Sequence, residues 1–129
     1  MVRQVLLVDD SRAMRDYVSS ILETSGTGEI TEADNGFDAL RALPRGAFDL
    51  IITDVNMPDI SGIELTRFIR QSPRYSKTPL IVISTEGSAV DRERAMAAGA
   101  WAFVVKPFSP EELMAVIKRV TESQAENQN

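Results

Sequence analysis

Three aspartates follow two short apolar runs of the sequence. Asp54 comes directly after residues 50–53, and Asp9 and Asp10 come directly after residues 5–8. Continuous apolar runs are typical of buried parallel strands, and α/β proteins hold their ligands at the carboxyl ends of such strands. If the two strands lie side by side, the three carboxylates share one pocket, where they repel one another unless a cation joins them. A set of oxygen ligands without His or Cys is suited to Mg²⁺.

Two further polar side chains also end predicted strands. Ser84 closes the apolar run 80–83, and Lys106 follows residues 101–105. A lysine ammonium can pair with a phosphate oxygen, a hydroxyl can donate to another, and an aspartate carboxylate can act as the nucleophile. Phosphoryl transfer depends mainly on charge stabilisation and in-line positioning. Together with Asp54, these residues therefore indicate a site for phosphoryl transfer.

Each of these residues also has an ordinary structural role. Asp9 and Asp10 could cap a helix that begins just after them, and Asp54 could be a loop acid before a turn. Ser84 could bond to the backbone at a strand end, and Lys106 could be solvated. Their position at the same end of four predicted strands favours a shared site over separate structural roles.

Segments of strand and helix character alternate along the chain. The strands are predicted at residues 5–8, 29–33, 50–53, 80–84 and 101–105. The helices are predicted from near residue 11 to the glycines at 26 and 28, after residues 35–36, at 61–71, at 89–98 and from residue 110. Parallel strands need crossover connections, so five strands alternating with five helices imply a parallel sheet covered on both faces.

Apolar side chains at regular spacing predict which faces of these elements are buried. Phe37 is assigned to the buried face of the second helix and Phe68 to that of the third. On the last strand, period-two alternation predicts that Trp101 and Phe103 share one face. Ser109 begins a capping box at the last helix, and the polar residues after 121 are predicted to fray.

Composition places limits on the class of protein. With 129 residues and 43% hydrophobic content, the chain is predicted to form one domain over residues 1–123, with a polar tail at 124–129. A net charge of -5 argues against a nucleic-acid or membrane-surface binder, which needs clustered Lys and Arg. The apolar runs are too short for a signal peptide or a membrane span, and cysteine is absent. These features predict a cytoplasmic protein.

Four motifs resemble, in order, those of response-regulator receiver domains. They are Val8-Asp9-Asp10-Ser11, Thr53-Asp54-Val55-Asn56-Met57-Pro58, Val82-Ile83-Ser84-Thr85 and Val104-Val105-Lys106-Pro107-Phe108. The resemblance extends over about residues 2–120, and without an attached output domain the chain is most similar to stand-alone, CheY-type chemotaxis regulators. It implies an α/β, flavodoxin-like doubly wound fold, in which five helices cover a five-stranded parallel sheet of order 2-1-3-4-5.

The resemblance implies a role for each acidic residue of the motifs. Asp54 is implied to accept a phosphoryl group from a phosphohistidine of a sensor histidine kinase. Asp10 and Asp54 are implied to bind Mg²⁺ by their side chains, and Asp9 through water. Asn56 is implied to bind the same ion by its backbone carbonyl.

The resemblance also implies a switch and its partners. Ser84 and Lys106 would each contact a phosphoryl oxygen, and Phe103 would move inward as Ser84 moves toward the phosphate. The Lys106–Pro107 bond resembles one that the family often holds cis. Phe103 stands where Tyr is frequent, and Thr85 where Ala or Gly is frequent. The implied partners of a monomeric regulator are the kinase, a phosphatase and a downstream protein such as a flagellar motor or another motility component.

Two other classes of protein stay open at this point. A metal-dependent phosphatase or phosphotransferase with an aspartyl-phosphate intermediate usually has a second Asp two residues after its nucleophile. Asp9 is followed at that position by Ser11, and Asp54 by Asn56, so neither supplies it. A receiver-like scaffold that is never phosphorylated is disfavoured because the acceptor, the other acids and Lys106 are all present.

Overall fold

The elements of the fold alternate between strands and helices along the chain. The computed structural model describes residues 2–85, 87 and 89–127, with side chains as far as residue 122. Its strands are β1 Gln4–Val8, β2 Glu29–Ala33, β3 Leu50–Asp54, β4 Leu80–Ser84 and β5 Ala102–Val105. Its helices are α1 Arg12–Thr24, α2 Gly36–Ala42, α3 Gly62–Gln71, α4 Ala89–Ala98 and α5 Pro110–Asn127, with short 3₁₀ turns at Leu43–Arg45 and Pro73–Tyr75. Within the described ranges, no helix is both long and apolar enough to cross a membrane.

The five strands form one parallel sheet. Their order is β2-β1-β3-β4-β5, which confirms the flavodoxin-like topology implied by the resemblance. β1 pairs with β3 from Val5 opposite Leu50 to Val8 opposite Thr53, so both strands end at the same edge of the sheet. β4 pairs with the other side of β3, and β5 pairs with β4. The polar residues at the ends of these four strands therefore lie along one edge of the sheet.

Hydrophobic layers cover both faces of the sheet. Alternate residues of β1 and β3 face opposite layers, because side chains alternate along a strand. One layer packs the strands against α2, α3 and α4, and it includes Leu6, Val8 and Ile51. The other packs them against α1 and α5, and it includes Leu7 and Ile52. Burial of both faces accounts for the continuous apolar runs in the sequence.

Polar side chains of the described residues cap the first turns of α1, α2, α3 and α5. The side chains of Ser11, Asn35 and Ser61 each accept a hydrogen bond from the backbone N–H three residues later. At α5, Ser109 Oγ accepts the Glu112 N–H at 3.1 Å, and Glu112 Oε1 accepts the Ser109 N–H at 3.4 Å. The predicted capping box is therefore confirmed. The same helix continues past residue 121, beyond the point where the polar sequence predicted fraying.

Two aromatic side chains lie outside the core that the sequence predicted for them. Phe37 is 51% exposed and Phe68 is 47% exposed. On α2 the buried side chain is Ala39, and on α3 Leu65 and Ile69 face the core one turn apart. Phe37 and Phe68 lie beside the buried stripe of their helix, not within it. The prediction of burial was wrong for both residues. The buried stripe of each helix is narrower than the stripe predicted from the spacing of its apolar residues.

Trp101 packs on the opposite layer of the sheet from Phe103. β5 begins at Ala102, so Trp101 precedes the strand and does not follow its alternation. Trp101 is partly buried against the layer formed with α1 and α5, and the Arg70 guanidinium lies 6.0 Å from its ring centre. Phe103 is buried in the layer formed with α2, α3 and α4. The predicted shared face of the two rings is therefore wrong.

Candidate functional site

Three carboxylates converge at the carboxyl ends of β1 and β3. Oxygens of Asp9, Asp10 and Asp54 all lie within 4.8 Å of one another. The pairing of the strands explains this, because Val8 lies opposite Thr53 and the next residues are Asp9 and Asp54. Asp9 and Asp54 are buried while Asp10 is exposed, so the cluster faces solvent on the Asp10 side. The fold thus brings together the acids that the sequence predicted to share a pocket.

Lys106 brings a positive charge against this acid cluster. Its Nζ lies 3.1 Å from Asp54 Oδ1 and 3.3 Å from Asp9 Oδ2, and its side chain is 13% exposed. The Lys106–Pro107 peptide bond is cis, and the Lys106 N–H donates to the Ser84 carbonyl at 2.8 Å. When all three acids are ionised, one ammonium leaves the cluster with a net negative charge.

The Asp54 carboxylate is buried beside more negative charge than positive charge. Its Oδ1 is buried and makes no hydrogen bond within the described part of the chain, although Lys106 Nζ lies at ion-pair distance. Burial raises the pKa of Asp54 above its ordinary value of 3.8, the charge of Asp9 raises it further, and Lys106 acts in the opposite direction. Lys106 supplies one positive charge to a cluster of three acids, and carboxylates this close repel one another unless a further cation joins them. The excess of negative charge and the all-oxygen donor set of Asp9, Asp10 and Asp54 together fit Mg²⁺.

Removal of the Asp54 charge is expected to stabilise the metal-free protein at neutral pH. Because the pKa of Asp54 is raised in the folded state, stability is lost as the pH rises through that pKa. An Asp54→Asn variant lacks this loss, so its melting temperature should exceed that of the wild type at neutral pH. The two should converge as the pH falls toward the ordinary pKa of the group. Thermal denaturation across this range in EDTA measures the difference, and a variant less stable than the wild type at neutral pH would contradict it.

The remaining predicted site residues lie on the neighbouring strands and on the loop after β3. Ser84 is fully buried at the end of β4. Asn56 is exposed in the loop two residues after Asp54. Phe103 is buried in the layer formed with α2, α3 and α4, and the Arg92 guanidinium of α4 lies 5.1 Å from its ring centre. Phe103 therefore already points inward in this structure.

Sequence reasoning missed two residues that shape the loop after β3. A Cβ atom on Gly62 would lie 1.9 Å from the Asp54 carbonyl oxygen, so only glycine fits there. Asp59 accepts the Gly36 and Phe37 N–H groups at 2.9 and 2.8 Å, which joins the loop to the start of α2. A glycine directly after a helix cap was a usable signal for Gly62, because glycine is unfavourable in a helix. The Asp59 contact joins distant segments and leaves no local pattern.

Comparison with known proteins identifies the family of this chain. The family model of the response regulator receiver domain matches residues 5–118. The chain belongs to this family. Receiver domains are signalling switches rather than enzymes in the ordinary sense.

Relatives of this receiver domain match it over most of their own length. It is 36% identical over 111 residues to chemotaxis protein CheY1 of Helicobacter pylori, covering 85% of this chain and 90% of that protein. It is 35% identical over 119 residues to chemotaxis protein CheY of Pseudomonas aeruginosa, covering 92% and 96%. The solved structure of the chemotaxis response regulator CheY4 of Vibrio cholerae is similar, with a TM-score of 0.87 at 38% identity, covering 93% of this chain and 99% of that chain. The receiver fold therefore extends over nearly all of this chain.

Proposed function

We propose that this receiver domain is the phosphorylated component of a two-component phosphorelay. In this proposal, Asp54 accepts a phosphoryl group from a phosphohistidine of a sensor histidine kinase, in a reaction that requires Mg²⁺. The observation that carries the proposal is the environment of Asp54, a buried carboxylate with Lys106 Nζ 3.1 Å from its Oδ1 and with Asp9 and Asp10 beside it. Crowded carboxylates are costly to hold together, and such clusters are found mainly where a function requires them.

The transfer exchanges one bond to phosphorus for another. An oxygen of the Asp54 carboxylate forms the new P–O bond while the P–N bond to the kinase imidazole breaks, and the imidazole nitrogen keeps the electron pair. Lys106 is proposed to pair with one phosphoryl oxygen, and Ser84 to donate its hydroxyl hydrogen to another. Asp54 must be ionised to attack, and burial raises its pKa in the metal-free protein, so a cation bound beside it would favour the reactive carboxylate form.

The acid cluster is the proposed Mg²⁺ site. The ion supplies neutralisation of the charge on the phosphoryl oxygens. Asp10 and Asp54 would hold it by their side chains, Asp9 through water and Asn56 through its backbone carbonyl. The exposure of Asp10 supports this assignment, because Mg²⁺ keeps several waters that must lie on the open side of the site.

Phosphorylation is proposed to change the binding of a downstream protein through Ser84 and Phe103. The named relatives are chemotaxis proteins, so a motility component such as the flagellar motor is the proposed target, and a phosphatase is proposed to reset the switch. The regulator is proposed to act as a monomer in the cytoplasm. Phe103 is already buried beneath Arg92, so its response would be a change of packing rather than entry from solvent. Resonances of Phe103 are a more direct reporter than Trp101, which lies on the other layer.

Intact-mass spectrometry with Mg²⁺ and acetyl phosphate tests the proposal. The wild type is expected to gain one phosphoryl group, and Asp54→Asn is expected to gain none. Asp16→Asn removes an exposed acid of α1 as a matched control and should react like the wild type. Equal mass gain by Asp54→Asn, or a full gain in EDTA, would refute the proposal. Sustained hydrolysis of a phosphate monoester would favour the phosphatase alternative instead.

A further inference from the structure

Arg15 of α1 reaches back to the loop that carries the acid cluster. Its Nη1 donates to the Asp9 carbonyl oxygen at 2.6 Å, and its Nε donates to Glu32 Oε1 of β2 at 3.0 Å. The Arg15 side chain is only 15% exposed. A planar guanidinium with two directed contacts on different segments is held in one orientation.

The carbonyl that Arg15 contacts belongs to the peptide group joining Asp9 to Asp10. Because a peptide group is planar, a hydrogen bond that holds this oxygen also restricts the orientation of the whole peptide between Asp9 and Asp10. The rest of Asp9 is held separately: its N–H donates to the Ala33 carbonyl at 3.1 Å, and its Oδ1 accepts the Ser11 N–H at 2.9 Å. The hydrogen bond from Arg15 to the Asp9 carbonyl therefore orients the peptide that leads to Asp10.

We propose that Arg15 is a positioning residue for the Mg²⁺ site, clamped by Glu32 and acting through the Asp9–Asp10 peptide. The inference rests on the proposed function and concerns how the acids of that site are presented to the ion. Arginine stays protonated at any pH at which the protein is folded, so the clamp itself does not titrate.

The charge of Arg15 and its positioning role have opposite effects on Mg²⁺ affinity. A guanidinium beside the acids repels a divalent cation, so removal of the charge alone would tighten binding. Loss of an orienting hydrogen bond instead lets the acids leave the geometry that the ion needs, and such losses weaken metal binding by about 10- to 100-fold. The sign of the change therefore separates positioning from electrostatics.

Isothermal titration of the metal-free protein with Mg²⁺ measures that sign. We expect Arg15→Met to weaken binding by about tenfold or more. Adding Glu32→Gln to it removes one charge of each sign, and the double variant should bind as weakly. Arg15→Lys keeps the charge but not the two-pronged donor, so its affinity should lie between. Arg41→Met removes an exposed ion pair with Asp38 as the matched control and should bind like the wild type.

NMR spectra of the metal-free protein provide a readout that does not depend on the ion. The amide resonances of Asp10 and Ser11 should shift in Arg15→Met and stay in place in Arg41→Met. The remaining resonances show whether each variant is folded. If Arg15→Met does not fold, Arg15→Lys provides the test, because electrostatics alone predicts wild-type affinity for it.

Three results would overturn the inference: a folded Arg15→Met that binds Mg²⁺ as tightly as the wild type or more tightly, unchanged amide resonances at Asp10 and Ser11, or a wild type that does not bind Mg²⁺. Failure of the proposed function is distinct. In that case the wild type binds Mg²⁺ but gains no phosphoryl group from acetyl phosphate, while the order of affinities in the Arg15 series still holds.

Discussion

Replacing Lys106 with Met should lower the free energy of unfolding of the metal-free protein at neutral pH by about 3 kcal/mol. Lys106 Nζ lies 3.1 Å from Asp54 and 3.3 Å from Asp9, and both acids are buried. Met fills a similar length without a charge, so the variant leaves two buried carboxylates without their cation. Breaking a buried ion pair in this way costs more than the intact pair contributes.

The deficit of Lys106→Met should depend on pH and on Mg²⁺. Lys106 lowers the pKa of Asp54, so its removal should raise that pKa further. Stability associated with a raised pKa is present in acid and is lost as the pH rises through the folded-state pKa, so the deficit should be largest at neutral pH. A divalent ion on the acids replaces the missing charge. Mg²⁺ should therefore raise the melting temperature more in the variant than in the wild type.

Urea and thermal denaturation, each with EDTA or Mg²⁺, measure both effects of the Lys106 substitution. Lys77→Met removes an exposed lysine and serves as the matched control, with an expected change of less than about 0.5 kcal/mol. Equal stability of Lys106→Met and the wild type in EDTA would contradict the prediction. A deficit that grows as the pH falls would contradict it as well.

Gly62→Ala is expected to destabilise the protein by about 3 kcal/mol and to slow the phosphorylation of Asp54. The added Cβ would lie 1.9 Å from the Asp54 carbonyl oxygen and 3.1 Å from Thr53 Oγ1. Because the first of these is a backbone atom of β3, rotation of a side chain cannot relieve the contact. Either α3 moves away or the end of β3 bends, and the second response displaces the Asp54 carboxylate.

Gly87→Ala is the matched control for this substitution. Its added Cβ would meet the Val105 side chain at 3.3 Å, a contact that small adjustments can relieve. Urea denaturation measures the stability of both variants. The rate of mass gain in acetyl phosphate measures how fast Asp54 is phosphorylated. Coincident denaturation curves for Gly62→Ala and Gly87→Ala would show that the close approach of Gly62 to β3 is not a constraint.

Much of the fold could be predicted because it depends on local patterns. Apolar runs identified strands buried on both faces, and the polar residue after each run identified the edge at which Asp9 and Asp54 meet. Cap residues such as Ser11 and Ser109 identified helix starts. The strand order came from the resemblance of the motifs and not from periodicity. The chemical role of each site residue, including Asp54, stays a prediction.

The features that the sequence could not predict depend on contacts between distant segments. The hydrogen bond from Arg15 to Glu32 joins α1 to β2, and no local sequence pattern predicts it. Periodicity indicates the direction of a buried face but not its width, which is why Phe37 and Phe68 were wrongly assigned to the core. Alternation along a strand holds only within the strand, so Trp101, just before β5, was assigned to the wrong layer.

β2 is an edge strand of the sheet, and two of its residues contact Asp9 and Arg15 beside the acid cluster. Three of its five residues are exposed, whereas every residue of β3 is buried. A strand with so few buried contacts opens locally at a lower free energy than a central strand. Each opening would withdraw the Ala33 carbonyl from Asp9 and the Glu32 carboxylate from Arg15 in a single event. The proposed function then predicts that the geometry of the acid cluster depends on local unfolding of β2, which amide hydrogen exchange of that strand would measure.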